Sequence, residues 1–226
     1  MSQYNRLVKC LLGVRKNTSI DLCLIESGIE PINYLLSKKR KRSLESKLAS
    51  PDWEGPFHLV LELCRSANTP GYRYIQKALQ FNCDVNPLEK LLQSVRSKPE
   101  SATKFHTYRT ILNPCLSVHI VYTNDRHQYV PDYTRQAFSR LRLMSHDLKI
   151  ETGRWSRIPR EMRKCPCDGQ SVQTESHVLV GCTLTAHLRT KYGLVDIRSV
   201  DALFHEYRDI SMICKYVYEV LKVMKN

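Results

Sequence analysis

The chain has 226 residues, of which 42% are hydrophobic, so it is long enough to bury a core and too apolar to be wholly disordered. Lysine and arginine total 35 against 22 acidic residues, and the net charge of +13 favours a polyanionic partner, either nucleic acid or an anionic membrane surface. No apolar run approaches the roughly 18–20 residues of a bilayer span, so no membrane-spanning segment is expected. Of the two kinds of partner, we expect nucleic acid and not a membrane.

The nine cysteines are an odd number, and those outside one C-terminal group lack the spacing of partners. Scattered free thiols are typical of a reducing environment, whereas secreted proteins pair their cysteines in disulfides. We therefore expect an intracellular protein, in the nucleus or the cytoplasm.

The first fifty residues are predicted to be helical, because their apolar side chains recur at helical spacing. Three helices are expected, over residues 4–14, about 19–26 and about 32–49. Gly28 suits the end of the second helix, and Pro31 suits the first turn of the third. Glu26, near the end of the second helix, is interpreted as a structural carboxylate that bonds a neighbouring turn.

The third predicted helix carries an unbroken run of cations. They are Lys38, Lys39, Arg40, Lys41 and Arg42. Such a run is typical of a nuclear-import signal or a phosphate contact, and equally of a solvated helix face. Because leucines around the run supply an apolar stripe, we expect a helix surface, and nucleic-acid contact by these cations stays open.

The middle of the chain is predicted to be a helical connecting region. Its first boundary is the Pro- and Gly-containing stretch 51–56, which interrupts regular structure. Helices are expected at 57–67, 72–81 and 87–95, a polar loop at 97–110, and a strand at 117–122, where β-branched and aromatic residues follow a proline. The predicted segments of the chain are therefore 1–50, 51–132 and 133–226.

The third segment opens with the most basic part of the chain. A helix is predicted at 133–145. Residues 135–164 include nine lysines and arginines but only three acidic residues. This density favours contact with nucleic-acid phosphates. The candidate contacts here are Arg135, Arg140, Arg142, Arg154, Trp155, Arg157, Arg160, Arg163 and Lys164.

Trp155 lies among these arginines and has two interpretations. Its ring can stack on an unpaired base, as aromatic side chains do in proteins that bind single strands. It can instead pack the following Cys/His segment onto a helix, because a small metal site has little core of its own. The sequence leaves both interpretations open.

A group of potential metal ligands follows the basic segment. Cys165, Cys167, His177 and Cys182 have the spacing C-x-C-x9-H-x4-C, and three thiolates with one imidazole suit a closed, four-coordinate structural zinc site. A helix is expected to start at His177, and its last turn must loosen to bring Cys182 to the same ion. The alternative is four separately buried side chains, since a free cysteine often acts as a small core hydrophobe.

Two parts of the chain resemble reverse transcriptases of non-LTR (LINE-type) retrotransposons. Residues 135–185 resemble the C-terminal region, where an arginine-rich helix and a W-x-R-I-P-type segment precede a Cys-Cys-His-Cys knuckle. Matching positions before the knuckle are Arg140, Arg142, Gly153, Trp155, Arg157, Pro159 and Arg160. Residues 5–50 resemble the segment that follows the polymerase palm, with matches at Leu12, Gly13, Val14, Glu26, Gly28 and Pro31.

The resemblance implies a thumb-like helical segment at 1–50 and a zinc knuckle near the C-terminal end. It also implies RNA or DNA as a partner, with a reverse transcriptase in cis or in trans. The sequence lacks the Asp-Asp pair that binds the catalytic metals in that family, so no polymerase activity is expected.

Three more helices are predicted beyond the knuckle, at 186–192, 200–204 and 210–224. We therefore expect a mainly α protein with a small Cys3His zinc-knuckle module and short strand pieces. The expected function is non-catalytic binding of RNA or DNA with one structural zinc. The alternative is an interaction or scaffold protein in which the zinc site is purely structural.

Overall fold

The computed structural model describes residues 3–49, 56–84, 86–123, 129–205 and 209–225, and this part of the chain is mainly helical. Its α-helices, in chain order, are α1 (Gln3–Leu11), α2 (Ile20–Ser27), α3 (Ile32–Leu48), α4 (Pro56–Ser66), α5 (Pro70–Leu79), α6 (Glu89–Arg96), α7 (Thr103–Thr107), α8 (Asp132–Arg142), α9 (Lys149–Trp155), α10 (Ala186–Lys191), α11 (Val200–His205) and α12 (Ile210–Val223). The predicted dominance of helices is confirmed. None of the helices described is both long and apolar enough to cross a membrane.

The predicted strand pieces are wrong, because the described residues contain no strand. Within the predicted strand 117–122, residues Ile120–Tyr122 form a 3-10 turn. The N–H of His119 donates to the carbonyl of Glu26 at the end of α2, at 3.3 Å, so it is satisfied by a helix end. Near the Cys/His group a single bridge joins Lys164 and Val172. The β-branched and aromatic side chains of 117–122 did not produce a strand, because the neighbouring elements are helices and offer no strand to pair with.

Helix also forms where the sequence predicted a loop. The polar stretch 97–110 contains α7, which continues into a π-helical turn over Tyr108–Leu112. Tyr108 and Leu112 are fully buried, so tertiary packing fixes a segment whose composition is polar. Propensity is a weak guide when a few side chains in a segment enter the core.

The chain divides into two compact units, a larger unit of residues 1–28 and 91–226 and a smaller unit of residues 29–90. The boundaries of these units differ from those of the predicted segments 1–50, 51–132 and 133–226. Residues 51–55 of the predicted boundary stretch 51–56 lie outside the described residues, and Pro56 begins α4.

In the larger unit, α8 and α12 pack against each other and supply most of the core. Phe138 and Leu141 of α8 and Val217 and Val220 of α12 are all fully buried. Phe138 also meets the ring of Phe204 in α11 edge to face, with centroids 5.2 Å apart. This arrangement follows from the apolar stripe on α12, which the sequence predicted over 210–224.

The end of α2 needs a glycine. Gly28 caps this helix in the left-handed conformation, at φ +70°. A Cβ at this position would lie 2.9 Å from a methyl group of Val118, so any other residue would be strained by both its backbone and its neighbour. The predicted stop at Gly28 is therefore confirmed, and it places Glu26 against the 108–119 segment.

Glu26 is the centre of a fully buried polar network. Its carboxylate forms a two-pronged ion pair with the guanidinium of Arg142, which is also fully buried. Tyr108 donates its hydroxyl to the same carboxylate at 2.6 Å, and Asn113 donates its side-chain amide at 3.2 Å. Arg142 also donates to the carbonyl of Leu112 at 2.5 Å. The network ties α2, α8 and the 108–113 segment together at one point.

The smaller unit contains α3, α4 and α5 and has a thin core, since α3 has no buried residue. Tyr34 of α3 holds the unit together through its ring, which meets Phe81 edge to face at 5.3 Å. Its hydroxyl donates to the carbonyl of Cys83 at 2.7 Å. Tyr34 therefore joins α3 to the segment that follows α5.

Candidate metal centre and basic surface

The four predicted metal ligands converge. One donor atom from each of Cys165, Cys167, His177 and Cys182 lies within 4.8 Å of the other three. The sulfurs of Cys165 and Cys182 are 3.7 Å apart, and the sulfur of Cys167 is 3.1 Å from Nε2 of His177. The widest separation slightly exceeds the value of about 4 Å that a shared tetrahedral zinc ion predicts. This cluster could hold a metal ion.

A tight turn presents the first two cysteines. Cys165 donates its N–H to Ser171 at 2.7 Å and accepts from Gly169 at 3.0 Å, so the chain reverses between them. Asp168 fixes the turn by accepting from the N–H groups of Gln170 and Ser171, each at 2.9 Å. Hydrogen bonds from the Ser171 hydroxyl and these N–H groups hold the pKa of Asp168 well below its usual range. The Asp-Gly pair therefore provides the turn chemistry that the short C-x-C spacing requires.

A π-helical turn presents the other two ligands. It spans His177–Gly181, and the N–H of Cys182 donates to the carbonyl of His177 at 2.8 Å. The side chain of Thr174 accepts from the N–H of His177 at 3.1 Å and so starts the turn. An i→i+5 turn is wider than an α-helical one, and this accounts for the x4 spacing between the two ligands.

Hydrogen bonds from neighbouring side chains hold the π-helical turn that carries His177 and Cys182. The hydroxyl of Tyr216 in α12 donates to the carbonyl of Leu179. Thr185 donates to the carbonyl of Val178 at 2.8 Å, and Arg189 of α10 donates to the carbonyl of Cys182 at 2.9 Å. The π-helical turn is therefore anchored on α10 and α12 by bonds that involve no metal ligand side chain.

The donor set fits a closed metal site. Cys165 and Cys182 are fully buried, and Cys167 and His177 are half-buried. Desolvation by burial and hydrogen bonds from the neighbouring thiols raise the pKa of Cys167 to about 12, so an ion that binds must displace protons. Four protein donors leave no open position on a tetrahedral ion, which suits a structural role.

Comparison of the chain with protein-family models, with curated proteins and with solved structures found no match. The chemistry of the candidate site is therefore inferred from the residues of this chain alone.

The structure separates the predicted nucleic-acid contacts into paired and exposed groups. Arg142 is fully buried in the Glu26 network, so it has no access to a nucleic-acid backbone and is excluded from the surface proposed below. Arg154 pairs with the buried carboxylate of Glu151 at 2.7 Å. Arg163 donates to the carbonyls of Ile158 and Ile150, and Lys164 donates to that of Gln170. Arg135 pairs with Asp132 at 2.8 Å.

Arg140, Arg157 and Arg160 are exposed, although the guanidinium of Arg140 also donates to the carbonyl of Gly13 at 2.6 Å. Trp155 is 40% exposed, so its ring is not a fully buried plug. The guanidinium of Arg15 lies 4.0 Å from the centre of that ring, in a cation–π contact that covers one face of the indole.

Sequence reasoning missed three cations in this region, because they come from distant parts of the chain. Arg15 pairs with Asp147 and covers Trp155. Asp147 and Arg140 line a surface cleft, and Lys222 and Lys225 from the end of the chain line the same cleft. We define the basic surface as the cleft residues Arg140, Lys222 and Lys225, together with Arg15 and with Trp155, Arg157 and Arg160, which are neighbours in the sequence. No local motif signals the membership of Arg15, Lys222 or Lys225.

The cationic run of α3 lies in the smaller unit and is partly engaged there. Lys38 pairs with Glu30 at 3.2 Å, Lys41 donates to the carbonyl of Phe81 at 2.9 Å, and Arg40 lies 5.5 Å from the ring centre of Tyr74. Lys39 and Arg42 are exposed. Nucleic-acid contact by this run stays a prediction.

Proposed function

We propose that this chain is a non-catalytic nucleic-acid-binding module with one structural zinc ion. The observation that carries the proposal is a cleft lined by Arg140, Lys222 and Lys225, whose Asp147 pairs with Arg15. Arg15 also covers one face of the exposed Trp155, so cations from three separate parts of the chain are linked to this ring. The resemblance to the tail of non-LTR reverse transcriptases supports it, since there a basic segment and knuckle would help to hold template RNA or target DNA.

Zinc is the metal that this donor set favours. Three thiolates with one imidazole are soft or borderline ligands, whereas Mg²⁺ and Ca²⁺ require oxygen ligands. Zinc would join the turn of Cys165 and Cys167 to the anchored turn of His177 and Cys182. Because the basic segment leads directly into Cys165, this link would fix its position relative to α12.

The basic surface supports phosphate binding by its charge and its aromatic side chain. Four cations of the basic surface are exposed, namely Arg157, Arg160, Lys222 and Lys225. Asp147 is an acidic neighbour of this surface and forms an ion pair with Arg15. Cations that contact phosphates release counterions from the nucleic acid, so binding should weaken steeply as salt is raised. Trp155 adds a ring on which an unpaired base can stack.

We expect the triple variant Arg160→Ala, Lys222→Ala, Lys225→Ala to bind single-stranded RNA more weakly than the parent does. Each phosphate contact on a single strand contributes about 0.7 to the slope of log affinity against log salt, so the slope should flatten by about two. The measurement is a fluorescence-anisotropy titration at several salt concentrations with single-stranded RNA, single-stranded DNA and duplex DNA. Zinc content should be unchanged.

A matched control removes the same charge from the smaller unit, by replacing the exposed cations Lys47, Arg73 and Lys77 with alanine. If the control flattens the slope as much as the test variant does, net charge alone drives binding and the basic surface is not the site. Parent protein that binds none of the three nucleic acids at low salt would refute the proposed function itself.

A second candidate, an interaction or scaffold protein, is favoured by one observation. Helix α4 exposes Leu59, Val60 and Leu63 by 67, 54 and 66% respectively, and Leu59 and Leu63 are one turn apart. An exposed apolar stripe of this kind is typical of a protein–protein contact. If sedimentation shows self-association that Leu59→Asp with Leu63→Asp abolishes, and the parent binds no nucleic acid, the interaction function takes precedence.

A further inference from the structure

The C-terminal end of α9 places an arginine where the backbone favours glycine. Arg157 follows this helix with φ +56°, in the left-handed region. The N–H of Ile158 donates to the carbonyl of Gly153 at 2.8 Å, and the N–H of Arg157 donates to that of Arg154 at 3.3 Å. This is a Schellman-type cap, in which the left-handed residue is usually glycine or asparagine because a Cβ is strained there.

Three other helices of this chain that end in the same way follow that preference. The left-handed residues after α1 and α10 are Gly13 and Gly193, and the one after α4 is Asn68. Met144 ends α8 in the same cap without being glycine or asparagine, but its side chain is only 1% exposed. Leu116, a further positive-φ residue, is 8% exposed, so core packing offsets the strain of both residues.

Neither a tolerant residue type nor side-chain burial explains the left-handed conformation of Arg157. It is exposed, and its guanidinium makes no hydrogen bond or ion pair with the residues that the structure describes. Its residue type is not tolerant of the left-handed region. A strained residue that gains nothing from the fold around it points to a role outside the fold.

We propose that Arg157 occupies this glycine-favouring position because its guanidinium binds a backbone phosphate of a single-stranded nucleic acid whose neighbouring base stacks on Trp155. This inference rests on the proposed function and specifies its ligand class. Trp155 lies two residues before Arg157, and Arg15 covers one face of its indole. A base can therefore stack only on the other face, and only if it is unpaired, which favours a single strand over a duplex.

A competing explanation is that Arg157 stabilises α9, since a cation near a helix C-terminus interacts favourably with the helix dipole. The two explanations predict opposite effects of glycine on stability. If the arginine serves binding, Arg157→Gly relieves backbone strain and stabilises the protein. If it serves the helix, the same variant destabilises the protein.

The test measures thermal stability and binding on the same variant. We expect Arg157→Gly to raise Tm by about 2 °C, because the strain of the left-handed residue is removed. Affinity for a single-stranded RNA oligonucleotide at low salt should fall at least about threefold, and the salt slope should flatten by about 0.7, the value for one phosphate. Duplex DNA binding should change less. Arg157→Lys keeps both charge and strain, so its Tm should stay at the parent value and its salt slope should be unchanged.

The control is Asn68→Gly, the same backbone change at the end of α4, where no charge is lost. It should leave the slope unchanged. A fall in Tm for Arg157→Gly, an unchanged slope, or an equal loss on duplex DNA would each overturn the inference. If the parent binds RNA and Arg157→Gly binds it equally well, the inference fails and the proposed function stands. If the parent binds no nucleic acid, both fail.

Discussion

Replacing Arg142 with alanine is expected to destabilise the larger unit by about 3–5 kcal/mol, because the variant leaves a buried carboxylate without its counter-ion. Both side chains of the Glu26–Arg142 pair are at 0% exposure, so water cannot take the place of the missing guanidinium. The guanidinium also lies 5.1 and 5.6 Å from the ring centres of Phe204 and Phe138, and those contacts are lost with it. Chemical denaturation followed by circular dichroism measures the effect.

The remaining partners of Glu26 cannot replace the arginine. The hydroxyl of Tyr108 already donates to it, and burial raises the pKa of Tyr108 well above its usual range, so the tyrosine stays a neutral donor. A neutral donor does not neutralise a carboxylate in a dry environment. The double variant Glu26→Leu, Arg142→Met removes both charges together and should be far less destabilised than Arg142→Ala alone.

The control for this prediction is Arg160→Ala, which removes an exposed arginine of the same segment. Exposed substitutions of this kind change stability by no more than about 0.5 kcal/mol. Equal unfolding midpoints for Arg142→Ala and Arg160→Ala would show that the buried ion pair contributes nothing to the fold.

Replacing Cys182 with alanine is expected to abolish stoichiometric zinc binding, since the variant leaves only three of the four donors. Structural zinc sites have apparent binding free energies of about 10–16 kcal/mol at neutral pH, so loss of one thiolate is a large effect. The measurement is the metal content of the purified protein, with one zinc per chain expected for the parent. Cobalt(II) reconstitution provides a second readout, because thiolate ligation gives sulfur-to-metal charge-transfer absorption.

Cys115→Ala is the matched control, because this cysteine is exposed and is not one of the four cluster residues. It should retain one zinc per chain. The helices α10 and α12 should remain folded in Cys182→Ala, as Tyr216 and Thr185 hold the π-helical turn through backbone carbonyls. A parent protein that takes up no zinc, or a Cys182→Ala variant that keeps a full equivalent, would contradict the assignment.

Metal affinity should also fall as the pH is lowered. Burial raises the pKa of Cys165, and burial with neighbouring thiols raises that of Cys167 to about 12. The ion binds thiolates, so protons compete with it, and the competition strengthens at low pH. A competition titration with a chromogenic chelator between about pH 6 and pH 8 should show affinity rising with pH.

The sequence by itself determined the features that depend on neighbouring residues. Helical patterns predicted α8 and α12, and Gly28 predicted the end of α2. The convergence of Cys165, Cys167, His177 and Cys182 was also predicted from their spacing, because thiol and imidazole groups at close spacing have few other roles. Each of these signals lies within a few residues of the feature it predicts.

Only the tertiary structure decided which cations are available at the surface. Arg140 and Arg142 are indistinguishable by composition, yet one is exposed and the other is buried against Glu26, which lies 116 residues away in the chain. Arg15 reaches Trp155 across a similar distance in sequence. The predicted strand at 117–122 failed for the same reason, because its partners are helix ends. Burial and pairing depend on contacts between distant segments, and those are set by packing and not by local sequence.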